Sequence, residues 1–239
     1  MTEANNILNT VKVEYIDDDL LVAFKPQGIP SAAGELLSFT DMVLDLYPEI
    51  GSVSGFNKLD GGLLNRLDNE TGGLILYART QRGFNYYKEE MKHDRVIKRY
   101  LALCIDERKE PISMGEIAVP IAHHQKQNKK MVALVGPEVK YRSSPQKAVT
   151  MWRIVNNEEK YVFVEAIITK GVRHQIRVHL ASIGLPIVND KLYNKTPVQK
   201  VDKLNNDYHC LFCVGVDFTV LNGNNITVSI DNPFINYFE

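Results

Sequence analysis

The sequence lacks most of what would send a chain to a membrane, to the cell exterior or to a bound cofactor. No stretch approaches the roughly 18 uninterrupted apolar residues that a spanning helix needs. The opening MTEANNILNTVKVEYIDDD has no basic start and no apolar run, so a secretory signal is not expected. Cysteine is scarce, and the three present (Cys104, Cys210, Cys213) are an odd number. Cys210 and Cys213 form a C-x-x-C, but no second pair completes a zinc site. They lie in YHCLFCV, a strand-like apolar run, so buried free thiols and a cytosolic location are expected. There is no G-x-G-x-x-G after a strand and no Walker-type loop. His174 and His179 are five residues apart, off the spacing that puts two ligands on one helix face, and His123-His124 is a lone pair. Neither a metal nor a cofactor is expected.

A surplus of charge is also missing overall, since the net charge is −1, but the charges are unevenly placed. Arg79, Arg82, Lys88, Lys92, Arg95, Lys98 and Arg99 outnumber the acids around them. Lys126, Lys129, Lys130, Lys140, Arg142 and Lys147 then face a single Glu138, whereas no Lys or Arg follows Gly215. The middle of the chain could meet a polyanion, or these residues could simply be solvated faces.

The 239 residues are 44% hydrophobic and 24% charged, enough for a sizeable core in an ordinary globular protein. VKVEYIDDDLLVAFKPQGIPS reads as two short strands around an acidic turn. Leu36 to Tyr47 has near-helical apolar spacing at Leu36, Phe39, Val43, Leu46 and Tyr47. Gly73 to Ala78 reads as a buried strand, and Thr80 as the N-cap of a helix to about His93. RYLALCI reads as a strand, and Asp106 to Lys147 as a basic, loop-rich insertion with hairpin character. AVTMWRIV and KYVFVEAIITK read as a hairpin. A helix is expected from near Gly171, with Gly184 as its C-cap, followed by strands in VGVDFTV and ITVSI. The expected architecture is α+β: a polar leader over 1–12 and one domain over 13–239 with a mainly antiparallel or mixed sheet.

The stretch Asn65-Arg66-Leu67-Asp68 ahead of Thr-Gly-Gly sets a carboxylate beside an arginine at the mouth of the buried strand. Asp68 could cap the turn, or serve as a nucleophile or base on a rigid element. The expected helix from Gly171 would place Arg173 and Arg177 on one face, opposite the apolar stripe, where an arginine can hold a carboxylate ionised. Strand alternation puts Tyr100 on the same face as Lys98 and Ala102. Its ring could pack in the core or against a base, and its hydroxyl could move a proton.

Four segments, in order, resemble the RluA-type RNA pseudouridine synthases. NRLDNETGGLILYART is similar to their H-R-L-D-x-x-T-S-G-L-L-L, and KRYLALC to their K-x-Y-x-A. GVRHQIRVHLASIGLPIVNDKLY is similar to G-R-x-H-Q-I-R-x-H-x-x-x-x-G-x-P-I-x-G-D-x-x-Y. VEYIDDDLLVAFKPQGIPS shares their acidic turn and Lys-Pro-x-Gly. The resemblance implies the pseudouridine synthase fold and isomerisation of uridine in structured tRNA or rRNA by a monomer, with no metal or cofactor. The base is detached from C1′, rotated and rejoined through C5. It implies that Asp68 is the catalytic carboxylate, Tyr100 the active-site tyrosine and Arg177 the arginine that pairs with the carboxylate. Arg66 would enter the space left by the flipped nucleotide, and Asn65, Lys98, Arg173 and His174 would contact RNA. The chain would be the short form, without an S4 domain. Asn65 stands where the family has His, Gly72 where it has Ser, Val172 where Arg is common and Asn189 where Gly precedes Asp190. These departures leave room for a catalytically silent relative that binds or remodels RNA. A carboxylate-based nucleoside hydrolase is more remote, because it shares only the Asp.

Overall fold

The computed structural model describes residues 11–32, 34, 36–110, 112–158, 161–195 and 207–234. The leader expected over 1–12 lies outside these residues up to position 10. In chain order the elements are β1 (Lys12–Ile16), β2 (Leu20–Lys25), α1 (Phe39–Leu46), β3 (Gly72–Ala78), α2 (Gln81–Lys92), β4 (Ile97–Ile105), β5 (Met114–Ile117), β6 (Ile121–His124), β7 (Met131–Ala133), β8 (Tyr141–Gln146), β9 (Thr150–Glu158), β10 (Tyr161–Ile168), α3 (Gln175–Ser182), β11 (Leu211–Thr219) and β12 (Asn225–Ser229). The class is α+β. The chain divides into two compact units: Met1–Val96 with Cys213–Asp231, and Ile97–Phe212 with Asn232–Glu239.

In the first unit the strand order is β1-β2-β3-β11-β12, and β1/β2, β2/β3 and β11/β12 are antiparallel. The register Leu21↔Tyr77 and Ala23↔Ile75 sends alternate residues of β2 and β3 to one face. There they pack with Phe39, Met42 and Val43 of α1 and with Ile50 and Leu63. β3 is buried along its whole length, the mark of a strand covered on both faces. α2 packs against it and buries Phe84 and Tyr87. Gly73 is obligatory at its position. Its φ is +112°, and a Cβ would lie 2.2 Å from the Cys213 carbonyl oxygen of β11.

The helix α1 begins at Phe39, three residues later than the apolar spacing suggests. Ser38 and Asp41 form a capping box, with Ser38 N–H donating to Asp41 Oδ2 at 2.8 Å and Asp41 N–H to Ser38 Oγ at 3.2 Å. The cap fixes the start, and Leu36 is left 74% exposed. Thr80 caps α2 as expected, accepting from Gly83 N–H at 3.0 Å.

In the second unit the order is β4-β10-β9-β5, with each neighbouring pair antiparallel. A small sheet β7-β6-β8 forms the basic insertion. It is fastened to α3 by a cluster of Ile121, Met131, Ala133, Ala148 and Val178. The C-terminus of α3 follows the glycine-capped pattern: Gly184 has φ +80°, and Leu185 N–H reaches back to Leu180 O at 2.9 Å. Cys104, Cys210 and Cys213 are buried thiols that form no disulfide. Among the described residues no helix is long and apolar enough to cross a membrane.

Candidate active site

In the first unit the residues around Asp68 form a loop clamped by the segment that follows β2. Ser31 Oγ donates to Leu67 O at 2.7 Å and accepts from Leu67 N–H at 3.0 Å, so one hydroxyl satisfies both backbone groups of that residue. Gly28 N–H donates to Asn69 O (2.8 Å) and Gln27 Nε2 to Glu70 O (2.7 Å). The turn closes through Thr71 N–H on Asp68 O at 3.0 Å. With Leu67 anchored inward and buried, Arg66 is exposed and Asp68 half-buried.

The least expected member of the clamp is Lys25, fully buried at the end of β2. Its ammonium donates to the carbonyls of Pro26 (2.8 Å), Ile29 (2.8 Å) and Asn69 (3.2 Å). Those bonds account for all three donors an ammonium carries. Burial pulls its pKa down to about 7, opposed by the charge of Asp68. Lys25, Gln27 and Ser31 were not among the residues expected from sequence. The only hint was the Lys-Pro-x-Gly of the opening segment.

In the second unit Tyr100 lies buried on β4 opposite Ala166, and Lys98 and Ala102 share its buried face. Lys98 is buried too, its ammonium donating to Thr169 O at 3.0 Å. The expectation that Arg173 and Arg177 share one helix face is corrected. His174 is in the left-handed conformation (φ +57°), so α3 starts only at Gln175 and Arg173 lies before it. Arg173 is exposed, whereas Arg177 is buried like its neighbours Ile176, Val178 and Leu180. There is no polar face opposite an apolar stripe.

Arg177 is held by the carboxylate of Asp190, a residue of the same motif for which no role was expected. Its Nε and Nη2 donate to Asp190 Oδ2 (2.7 Å) and Oδ1 (2.9 Å), and the two side chains are 7% and 0% exposed. Burial alone would push the Asp190 carboxyl up, but the Arg177 guanidinium, His209 and the Leu192 N–H hold it below the usual carboxylate value. His174 is half-buried, with Nδ1 2.8 Å from the Tyr193 hydroxyl. His179 is a core residue. Its Nδ1 bonds Thr150 Oγ1 and its Nε2 bonds Val119 O, both at 2.9 Å, and burial lowers its pKa.

The insertion displays Lys126, Lys129, Lys140, Arg142 and Lys147 to solvent. Lys130 instead turns inward, its ammonium 5.4 Å from the centre of the Tyr193 ring. Beside it, a shallow, open hollow of about 270 Å³ is lined by residues that include Met131, Ala133, Val178, Ala181 and Tyr193.

A profile described as RNA pseudouridylate synthase matches residues 19–182. The chain belongs to the RNA pseudouridylate synthase family. It is 30% identical over 200 residues to a protein named ribosomal large subunit pseudouridine synthase D from Xanthomonas campestris pv. campestris, covering 81% of this chain and 56% of that one. It is 27% identical over 244 residues to ribosomal large subunit pseudouridine synthase C from Buchnera aphidicola subsp. Acyrthosiphon pisum, covering 100% of this chain and 73% of that one. With the synthase D of Buchnera aphidicola subsp. Schizaphis graminum, 29% identical, the match covers 79% of this chain and 55% of that protein. The chain thus spans little more than half the length of the two synthases D. The fold matches that of human RNA pseudouridylate synthase domain containing 1, with a TM-score of 0.76 at 20% identity over 97% of this chain and 87% of that one. For human RNA pseudouridylate synthase domain containing 4 the TM-score is 0.71 at 23% identity, over 95% and 91%.

Two departures from the family pattern have a physical account. Asn65 Oδ1 accepts the Leu76 N–H of β3 at 2.8 Å, a bond that an unprotonated imidazole nitrogen could also accept. Asn189 has φ +62°; asparagine is among the few non-glycine residues that enter this region readily. Nothing in the structure explains Gly72 in place of serine.

Proposed function

We propose that this chain is an RNA pseudouridine synthase acting on ribosomal RNA, the substrate in the names of its bacterial relatives, with structured tRNA as a second candidate. The observation that carries the reading is the clamped Arg66-Leu67-Asp68 loop. One serine holds both backbone groups of Leu67, and a buried lysine holds the carbonyl of Asn69. Such rigid support is what a catalytic carboxylate needs if it is to meet a reacting carbon in one geometry.

A uridine in a stacked helix hides C1′ and C5, so it must be extruded, at about a few kcal/mol of lost stacking and pairing. Arg66, exposed beside the anchored Leu67, enters the vacated stack and offsets part of that loss. Asp68 acts at C1′, adding to it or stabilising positive charge as the glycosidic bond breaks. Tyr100 packs on the base and handles its proton, and Arg177 pairs with the Asp68 carboxylate as well as with Asp190. Arg173, His174 and the exposed lysines of the insertion hold the RNA. Asn65 and Lys98, expected at the RNA, support it from behind: Asn65 Oδ1 accepts from Leu76 N–H and the Lys98 ammonium donates to Thr169 O. The catalytic domain comprises residues 13–239, working as a monomer.

The test is tritium release from RNA carrying 5-³H-uridine. Wild type should release tritium from large-subunit ribosomal RNA, and Asp68→Ala should release none above the enzyme-free background. Equal release by both proteins refutes the role of Asp68. No release by wild type from either rRNA or tRNA, with binding retained, would instead mark a silent RNA-binding relative.

A further inference from the structure

Tyr193 ties together three parts of the second unit. Its hydroxyl accepts the Met131 N–H at the start of β7 at 2.8 Å, and it stands 2.8 Å from His174 Nδ1. A hydroxyl that accepts from a backbone amide still has its own proton to give. Giving it to Nδ1 places the imidazole proton on Nε2. The same ring carries two cations, with the Arg177 guanidinium carbon 5.2 Å and the Lys130 ammonium 5.4 Å from its centre, both within cation–π range. The His174 imidazole meets the ring edge-on, at 5.8 Å and 83°. The Tyr193 backbone N–H donates to Asp190 Oδ1 at 3.2 Å, the oxygen that also accepts from Arg177 Nη2. Asp190 therefore fixes the edge of the guanidinium and Tyr193 its face. Histidine enters the left-handed region more readily than most residues, and the left-handed His174 is secured further through its ring.

We propose that Tyr193 is a positioning residue for the RNA reaction: its ring orients Arg177, its hydroxyl orients His174, and both are tied through Lys130 and Met131 to the basic insertion. The proposal rests on the synthase reading above. It divides the labour of one side chain. The ring serves the arginine that acts in the chemical step, and the hydroxyl serves a histidine that meets the RNA.

That division is tested with Tyr193→Phe and Tyr193→Leu in the full chain. Tyr193→Phe keeps the ring and should raise KM for the ribosomal RNA about 5-fold with kcat within about 2-fold of wild type; Tyr193→Leu should lower kcat about 30-fold as well. A purely structural tyrosine would reduce the amount of active enzyme, lowering apparent kcat in both variants with KM unchanged, and that pattern overturns the proposal. So do kcat and KM within about 2-fold of wild type in both. Nitrogen NMR of the histidine rings, with His174 assigned from His174→Gln, gives a readout independent of turnover. Wild type should show His174 Nδ1 unprotonated, and Tyr193→Phe should shift that resonance toward the protonated form. If wild type releases no tritium, the synthase reading fails, and the ring nitrogens alone decide whether Tyr193 sets the imidazole. An unchanged His174 spectrum in Tyr193→Phe rejects that orientation. Should Tyr193→Leu not fold, the near-isosteric Phe variant still decides through KM and the spectrum.

Discussion

Lys25 shows how one buried cation can set a loop. Its three carbonyl acceptors come from Pro26 and Ile29 beside it and from Asn69, 44 positions away. Lys25→Met leaves those carbonyls without their donor and should destabilise the protein by about 2–4 kcal/mol in urea titrations near neutral pH. The pH dependence has a definite sign. The folded-state pKa of about 7 lies below the ordinary 10.5, so across that interval the unfolded chain holds more protons and stability rises with pH. The gap between wild type and Lys25→Met should therefore widen from pH 7 upward, and a constant gap would show that the lysine titrates normally. Asn65 makes a second case. Its Oδ1 bonds Leu76 N–H, while its Nδ2 is buried with no partner among the described residues. Asn65→Ala should cost about 1–3 kcal/mol by orphaning that N–H. Asn65→His, whose unprotonated ring nitrogen can accept the same bond while the other nitrogen keeps its proton, should lose less stability than Asn65→Ala in thermal unfolding. The sequence made Asn65 conspicuous as a departure but could not say what it bonded, because Leu76 is brought to it by the turn that Asp68 closes. Lys25 was less legible still, since a lysine ending an apolar strand ordinarily reaches water.

Among the elements, those set by local pattern were readable and those set by distant contacts were not. Alternation placed Lys98, Tyr100 and Ala102 on one face of β4, where all three are buried. The start of α1 was written in Ser38-x-x-Asp41, but apolar spacing drew attention to Leu36 instead. The start of α3 had no local mark at all: His174 takes up a left-handed conformation beside a tyrosine 19 positions later. Within α3, His179 joins the helix to Val119 and Thr150, and burial holds its pKa below the ordinary 6.5. The neutral ring contributes its full stability above that value and loses it as pH falls toward the folded-state pKa, where the unfolded chain takes up the extra proton. Denaturation midpoints should therefore fall more steeply below pH 6.5 in wild type than in His179→Leu. Equal slopes would mean that another group governs the acid transition.

On the scale of the whole molecule, a net charge of −1 conceals a basic insertion whose lysines stand in solvent. Replacing Lys126 and Lys129 by alanine should reduce the slope of log affinity against log salt by about 1.4–1.8, the loss expected for two phosphate contacts on unpaired or helical RNA. An unchanged slope would place the RNA elsewhere. Lys130 belongs to a different test, because its ammonium is committed to the Tyr193 ring. The polarity of the chain was legible in its sequence, yet which lysines reach outward was not, since that depends on how β7 lies against α3. The buried thiols have a practical consequence of their own. All three cysteines are enclosed, and burial pushes the Cys104 thiol well up and that of Cys210 to about 12, so a thiol reagent meets almost no thiolate while the fold is intact. The native protein is thus a silent background for labelling. One cysteine introduced at Lys129 or Arg142 would take a cross-linker or dye alone, with no native cysteine to remove first, and would report which stretch of RNA passes the insertion.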